Sequence, residues 1–320
     1  MRAVRVHPRL AVVLKVIVGV SLLIGLILYI DVNALMRSIA HADILFLTMG
    51  TILVLANVGM QFLRWRYLVT LIAPDTTDKD IFSSLLIGYS AGFFTPGQVG
   101  EHGGRLMALS SLQAVQVLAM SIIDKMYVLA ITIIAGSIGA WLYFVLYLPQ
   151  YWTPLLTALV VAVVFSFLAV VLYPDLLKKV LRAVLHKLRK YRAVSAFLFV
   201  KDIFHRSQAR MLLLLTCIFY GIIILQYYFF VLAFEPVTFG ISALSTANIL
   251  FIKSAILPIS FGDLGIREST AIFFYSHAGI SAASAFNASL CVFFVNIFFP
   301  SLIGSLLIFR VKSGKEKLAS

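Results

Sequence analysis

The sequence predicts an all-α polytopic membrane protein: six full transmembrane helices plus two re-entrant helical hairpins in an inverted repeat. Three observations carry that prediction. The 320 residues are 62% hydrophobic and only 12% charged, with a mean hydropathy of +1.02, whereas a soluble domain is roughly half apolar and a quarter charged. The apolar residues fall in runs long enough to cross about 30 Å of hydrocarbon. A signature of helix breakers and charges occurs twice at identical offsets, as Pro96, Gly100, Glu101, Gly103 and Arg105 and again as Pro258, Gly262, Asp263, Gly265 and Arg267. At membrane depth polar groups are costly, and irregular backbone survives only around a protein-lined cavity.

The full spans are Leu10 to Ile30, Ile44 to Phe62, Leu112 to Phe144, Thr153 to Tyr173, Met211 to Phe234 and Ser281 to Phe309. The first follows Arg2, Arg5 and Arg9, and Ala40-His41-Ala42 resembles a cleavage site. Its apolar run of about 20 residues exceeds the roughly 7 to 15 of a signal peptide, so a retained span is expected. The stretches Ile81 to Leu109 and Ile241 to His277 are each cut by Pro and Gly into arms of roughly 13 to 19 residues, which suit re-entrant hairpins. Counting each arm as a crossing gives the alternative of eight to ten spans.

Basic residues set the orientation. The N-terminus, residues 63–80, residues 175–210 and the tail from Arg310 together hold 20 Lys and Arg, against Arg37 alone on the other side. Both termini are therefore expected in the cytoplasm, and the net charge of +13 reflects topology, not nucleic-acid binding. Residues 175–210 read as an amphipathic cationic helix on anionic inner-leaflet lipids, with Leu177, Leu181, Val184, Leu185 and Leu188 on one face.

With that orientation the units 1–150 and 151–320 each run span, span, hairpin, span, and the second is inverted. Such repeats place a site near the midplane, built from broken helices. Thr95-Pro96-Gly97-Gln98 has N-cap, first-turn Pro and capping-box spacing, so a half-helix is expected to start at Thr95, and Ser260 to Asp263 has the same form. Arg105 follows Glu101, and Arg267 follows Asp263, by four residues, which predicts an acid and an Arg on one helical face in each copy. Glu101, Asp124, Asp263 and Glu268 against Arg105, Lys125, Lys253 and Arg267 sum to zero. These groups form a substrate pathway on one reading and lock the hairpins to neighbouring spans on the other. The Gly residues can also serve as close helix contacts. Cys217 and Cys291 have no motif spacing, the six histidines are scattered, and no P-loop, nucleophile elbow or zinc signature is present. No metal or cofactor is expected, and the chain is read as a non-enzyme.

Phe94-Thr95-Pro96-Gly97-Gln98-Val99-Gly100-Glu101 and Leu257-Pro258-Ile259-Ser260-Phe261-Gly262-Asp263-Leu264-Gly265-Ile266-Arg267-Glu268 resemble the two signatures of the lysylphosphatidylglycerol synthase/flippase transmembrane region. Arg64-Trp65-Arg66 and Asp124-Lys125 are also similar to that family's pattern. The chain extends only ten residues past Arg310, so the resemblance implies a stand-alone flippase-like unit in the cell inner membrane, without the aminoacyl-transferase domain. The family often has Gly where Asp263 stands, which puts more weight on Arg267 and Glu268. The resemblance implies a transporter that moves a polar or phosphate-bearing lipid headgroup. An ion or small-solute transporter, an intramembrane transferase on a lipid-linked substrate and a membrane partner subunit are the alternatives.

Overall fold

A computed structural model describes residues 21, 24–95, 98–147, 153–173, 179, 204–256 and 263–308. Most of the predicted span Leu10 to Ile30 and nearly all of the predicted cationic helix within 175–210 lie outside these residues, as do Pro96, Gly97, Pro258, Ser260 and Gly262 of the hairpin tips. The regular structure of the described residues is helical throughout, without a strand. The helices are α1 (Val32–Ala40), α2 (Ile44–Thr70), α3 (Asp78–Phe93), α4 (Val99–Ala108), α5 (Ala114–Tyr147), α6 (Thr153–Leu172), α7 (Arg206–Phe234), α8 (Phe239–Ala255), α9 (Ile266–His277) and α10 (Ala282–Phe293). Through a π-helical segment, Phe294–Phe298, α10 continues to Ile308.

Among the described residues four helices are long and apolar enough to cross a membrane, namely α2, α5, α7 and Ala282–Ile308. Short polar residues set the helix starts by accepting otherwise unpaired backbone N–H groups. Asp43 accepts from Leu45 N at 2.8 Å, Thr77 from Asp80 N at 3.2 Å and Ser281 from Ser284 N at 3.3 Å. Asp78 and Asp80 in the first turn of α3 complement its positive end.

Several boundaries differ from the sequence reading. The span expected to stop at Phe62 runs to Thr70, which brings Arg64 and Trp65 into the packed bundle instead of a basic loop. The long loop expected to reach Arg210 ends earlier, because α7 begins at Arg206. A short helix, α1, occupies the stretch after Ile30 and buries Leu35 against Ile272, Ala283 and Phe286. The hairpin arms α3, α4, α8 and α9 have 16, 10, 17 and 12 residues. At 1.5 Å per residue they reach about 15 to 26 Å, short of the roughly 30 Å of hydrocarbon.

Two apolar clusters hold the bundle. One joins Trp65, Ile81, Leu85, Met120, Ile123, Tyr127 and Leu212 of α2, α3, α5 and α7; the other joins Tyr227, Phe230, Ile249, Tyr275 and Val292 of α7, α8, α9 and α10. Small residues then let backbones approach, the general device of helix contacts in lipid. Between α3 and α4, Gly100 faces Ala91 and Thr95, and Gly104 faces Ile87 and Gly88. Gly103, the glycine singled out in the repeated signature, has open space around it; Gly104 makes the contact.

Further from the tip, α3 packs on the distal part of α10. Ser90 and Ser305 share a hydroxyl hydrogen bond at 2.7 Å, and a Cβ on Gly304 would overlap the Leu86 carbonyl. Gly304→Ala is therefore expected to destabilise the protein by about 1–3 kcal/mol, the usual cost of overpacking. Thermal unfolding in detergent measures it; Gly103→Ala, which meets no neighbour, is expected to melt near the parent.

Candidate functional site

The first signature forms a charge cluster across three helices. Glu101 and Arg105 of α4 pair at 2.6 Å, and Arg105 also donates to Asp124 of α5 at 3.1 Å. Arg64 of α2 pairs with the other oxygen of Asp124 and donates to its backbone carbonyl at 3.0 Å. Lys125 reaches Glu101 at 2.5 Å and Gln98 at 3.2 Å. Trp65 covers the Arg105 guanidinium, 4.3 Å from its ring centre, and is itself held by an indole N–H bond to Ser84 at 2.7 Å. Beside the cluster, His102 and Ser121 are hydrogen-bonded at 2.7 Å.

The second signature forms a smaller one. Arg267 and Glu268 pair at 2.6 Å, Ser289 bonds both, and Phe293 covers the Arg267 guanidinium at 5.2 Å. The other oxygen of Glu268 accepts the Gly265 backbone N–H at 2.7 Å, which caps α9. Lys253 pairs with Asp263 at 3.0 Å.

Three sequence expectations are corrected by this geometry. Thr95 is not the N-cap with Gln98 completing a capping box: α4 starts after Gln98, which is left-handed at φ 55. Thr95 instead caps from further back, accepting from Gly100 N at 2.7 Å while donating to the Ala91 carbonyl at 3.0 Å. Asp263 does not share a helical face with Arg267. It precedes α9 in a left-handed conformation at φ 62, and Gly265 follows at φ 86, where a side chain is disfavoured; the helix starts too late to include it. The charges gathered in the two clusters do not sum to zero, because Arg64, 1% exposed, adds a fifth base to four acids.

The two clusters open onto one cavity of about 190 Å³. Glu101 and Lys125 line it from the first half, and Lys253 and Arg267 line it from the second. Behind this wall sit Arg64, Arg105, Asp124 and Glu268, each at most 5% exposed. The two lysines are more open, with side chains 37% and 21% exposed. A buried inner set thus stands behind two more open lysines. On the remaining wall Asn57 and Gln61 of α2 and Asn296 of the π segment join Gln226 of α7 in a carboxamide chain.

The sequence profile of the lysylphosphatidylglycerol synthase TM region matches residues 12–304. The chain belongs to that family. Comparison with curated proteins and with solved structures returned no match. Membership in the lysylphosphatidylglycerol synthase TM-region family ties the chain to a membrane lipid-related function and to a membrane-embedded, multi-pass architecture.

In this family member all eight predicted charged residues fall in the two clusters, and the structure adds Arg64, Trp65, Gln98, Ser289 and the carboxamides. Gln226 is fully buried and bonds Asn57, Asn296 and the Gly50 carbonyl at 3.0, 2.9 and 3.3 Å. Gln226→Leu leaves both amides short of a partner, a loss of about 1–3 kcal/mol that should appear as a lower unfolding midpoint.

Proposed function

We propose that this chain is a flippase-like transporter that moves a polar, phosphate-bearing lipid headgroup across the cell (cytoplasmic) membrane without covalent chemistry. The observation that carries the reading is the single cavity shared by cations of both halves: Lys125 from one, Lys253 and Arg267 from the other. Counting the two partly exposed lysines, the clusters hold one more base than acids, which favours an anionic guest. Lys125 and Lys253 are exposed enough to trade Glu101 and Asp263 for a phosphate and to return to them afterwards.

The hairpins α3–α4 and α8–α9 are read as re-entrant, with both termini cytoplasmic and the two halves related as an inverted repeat. Their arms are shorter than the hydrocarbon thickness, which supports re-entry. The packing supports the repeat: α2 lies on its counterpart α7, and the first arm of each hairpin lies on the last span of the other half. On one side α3 meets Gly304 and Ser305, and on the other α8 places Phe251 and Asn248 against Gly136 and Gly139 of α5. Anionic inner-leaflet lipids are proposed as partners of residues 175–210.

Reconstitution separates this reading from solute transport. Proteoliposomes should translocate a chain-labelled anionic phospholipid while taking up no radiolabelled glycerol phosphate. Uptake of the soluble phosphate without lipid movement would overturn the proposal in favour of a solute carrier.

A further inference from the structure

The surplus base belongs to the first cluster. Arg64, Arg105 and Lys125 stand there against Glu101 and Asp124, whereas Lys253 and Arg267 balance Asp263 and Glu268. Among the described residues five buried side-chain polar atoms lack a hydrogen-bond partner, and three of them gather at this cluster: Nε of Arg64, Nε of Arg105 and the hydroxyl of Tyr89 on α3. Leaving a buried donor unpaired is costly, and folded proteins rarely do it.

The three groups lie together. Arg64 and Arg105 bond the two oxygens of one carboxylate, Asp124, and the Tyr89 hydroxyl is within electrostatic range of both guanidinium groups. Asp124 and Glu101 accept only from Nη atoms. The ring of Phe219 covers the Arg64 guanidinium at 5.2 Å, as Trp65 covers that of Arg105 at 4.3 Å. What each guanidinium still offers is its in-plane edge at Nε–H.

A water would satisfy these donors but not the charge. At membrane depth an uncompensated charge is heavily penalised, so the occupant that answers both observations is an anion. Enclosure sets its size. With Arg64 and Arg105 each 1% exposed and the Tyr89 hydroxyl buried, a phosphate still attached to its lipid has no way in, whereas a monatomic ion does.

We propose that Arg64, Arg105 and Tyr89 hold a small inorganic anion of chloride's size, which neutralises the first cluster while Lys125 rests on Glu101. The ion accepts from two N–H groups and one O–H, bonds strengthened by its charge. It enters from the cavity, which Tyr89 and Phe219 both line. The site lies within the first half, and its assignment does not depend on what the cavity carries.

The test is thermal unfolding of the purified full chain in detergent, with chloride exchanged for the bulky anion gluconate at constant pH and ionic strength. The midpoint is expected to rise saturably with chloride, as it does for any ligand held by the folded state alone, and bromide should substitute. Tyr89→Phe removes one donor to a charged acceptor and should raise the half-saturating chloride concentration about tenfold. In gluconate that variant should melt at or above the parent, because its hydroxyl has no protein partner to lose; a merely structural tyrosine would lower both midpoints alike. Lys253→Gln, which removes a cavity cation of the other half, should leave the half-saturating concentration unchanged. A parent midpoint indifferent to chloride would overturn the site and assign the donors to water. A chloride response that survives intact in Tyr89→Phe, or that disappears in Lys253→Gln, would also overturn it by placing the ion elsewhere.

Discussion

Asp124→Ala is expected to destabilise the protein by about 3–5 kcal/mol, because it leaves two buried guanidinium groups without their shared carboxylate. Arg64 and Arg105 are each 1% exposed and both bond Asp124. Water cannot reach them to replace the lost partner. Arg105 retains Glu101 at 2.6 Å, so the larger share of the loss falls on Arg64, which keeps only the backbone carbonyl of residue 124 at 3.0 Å. The comparison is Arg66→Ala. Arg66 pairs with Asp78 at 2.6 Å, but the two side chains are 47% and 60% exposed, and a solvated pair is worth about 0–1 kcal/mol. Unfolding midpoints in detergent should therefore fall steeply for Asp124→Ala and barely move for Arg66→Ala. Equal shifts would show that burial does not separate a locking pair from a surface pair here.

Combining Lys125→Gln with Lys253→Gln is expected to lower translocation of an anionic lipid at least tenfold while leaving the fold intact. Both ammonium groups face the cavity and are partly exposed, so removing each costs less than breaking a fully buried pair. Glu101 keeps Arg105, and glutamine retains a donor for Asp263. The two lysines thus report on transport where Arg64 and Arg105 report on stability. Initial rates of chain-labelled lipid movement in proteoliposomes check this, with the unfolding midpoint measured on the same preparations. A double variant that moves lipid at the parent rate would remove the cavity cations from the pathway.

The division of labour explains what the sequence made legible. Charged residues inside apolar runs stand out against a composition of 62% hydrophobic residues, so all eight were readable as candidates, together with the two hairpins that carry most of them. What periodicity could not supply was the partner of each charge. Arg64 looked like a loop residue because hydropathy falls after Phe62, yet its helix continues to Thr70: Trp65, Leu68 and Val69 are fully buried and hold that last part in the bundle. Asp263 looked helical by four-residue spacing, yet the left-handed turn at 263 and 265 delays the helix. The choice between Gly103 and Gly104 depends on which face meets α3. The neighbouring glycines contained part of that answer, since Gly104 of α4 meets Gly88 of α3, and Gly88 and Gly92, one turn apart, both face Glu101.

The carboxamides were present in the sequence as lone polar residues in apolar spans. A buried amide at membrane depth needs a partner on another helix. Asn57 and Gln61 sit one turn apart on α2, so a face was implied, but their connection to Gln226 and Asn296 crosses 169 and 70 residues of chain. Only the packing of α2 against α7, and the π turn in the last helix, brings them together.

Photo-crosslinking addresses the central claim most directly. A chain-intact anionic phospholipid with a diazirine next to its phosphate would be activated in membranes containing the parent protein, and its adducts mapped by mass spectrometry. Adducts at cavity-lining positions of both halves, around Gln98 and Lys125 on one side and around Lys253 and Ser254 on the other, are the predicted result. Adducts confined to lipid-facing positions such as Leu55 and Phe165, 74% and 68% exposed, would contradict the account, because the headgroup would then never enter the space between the hairpins.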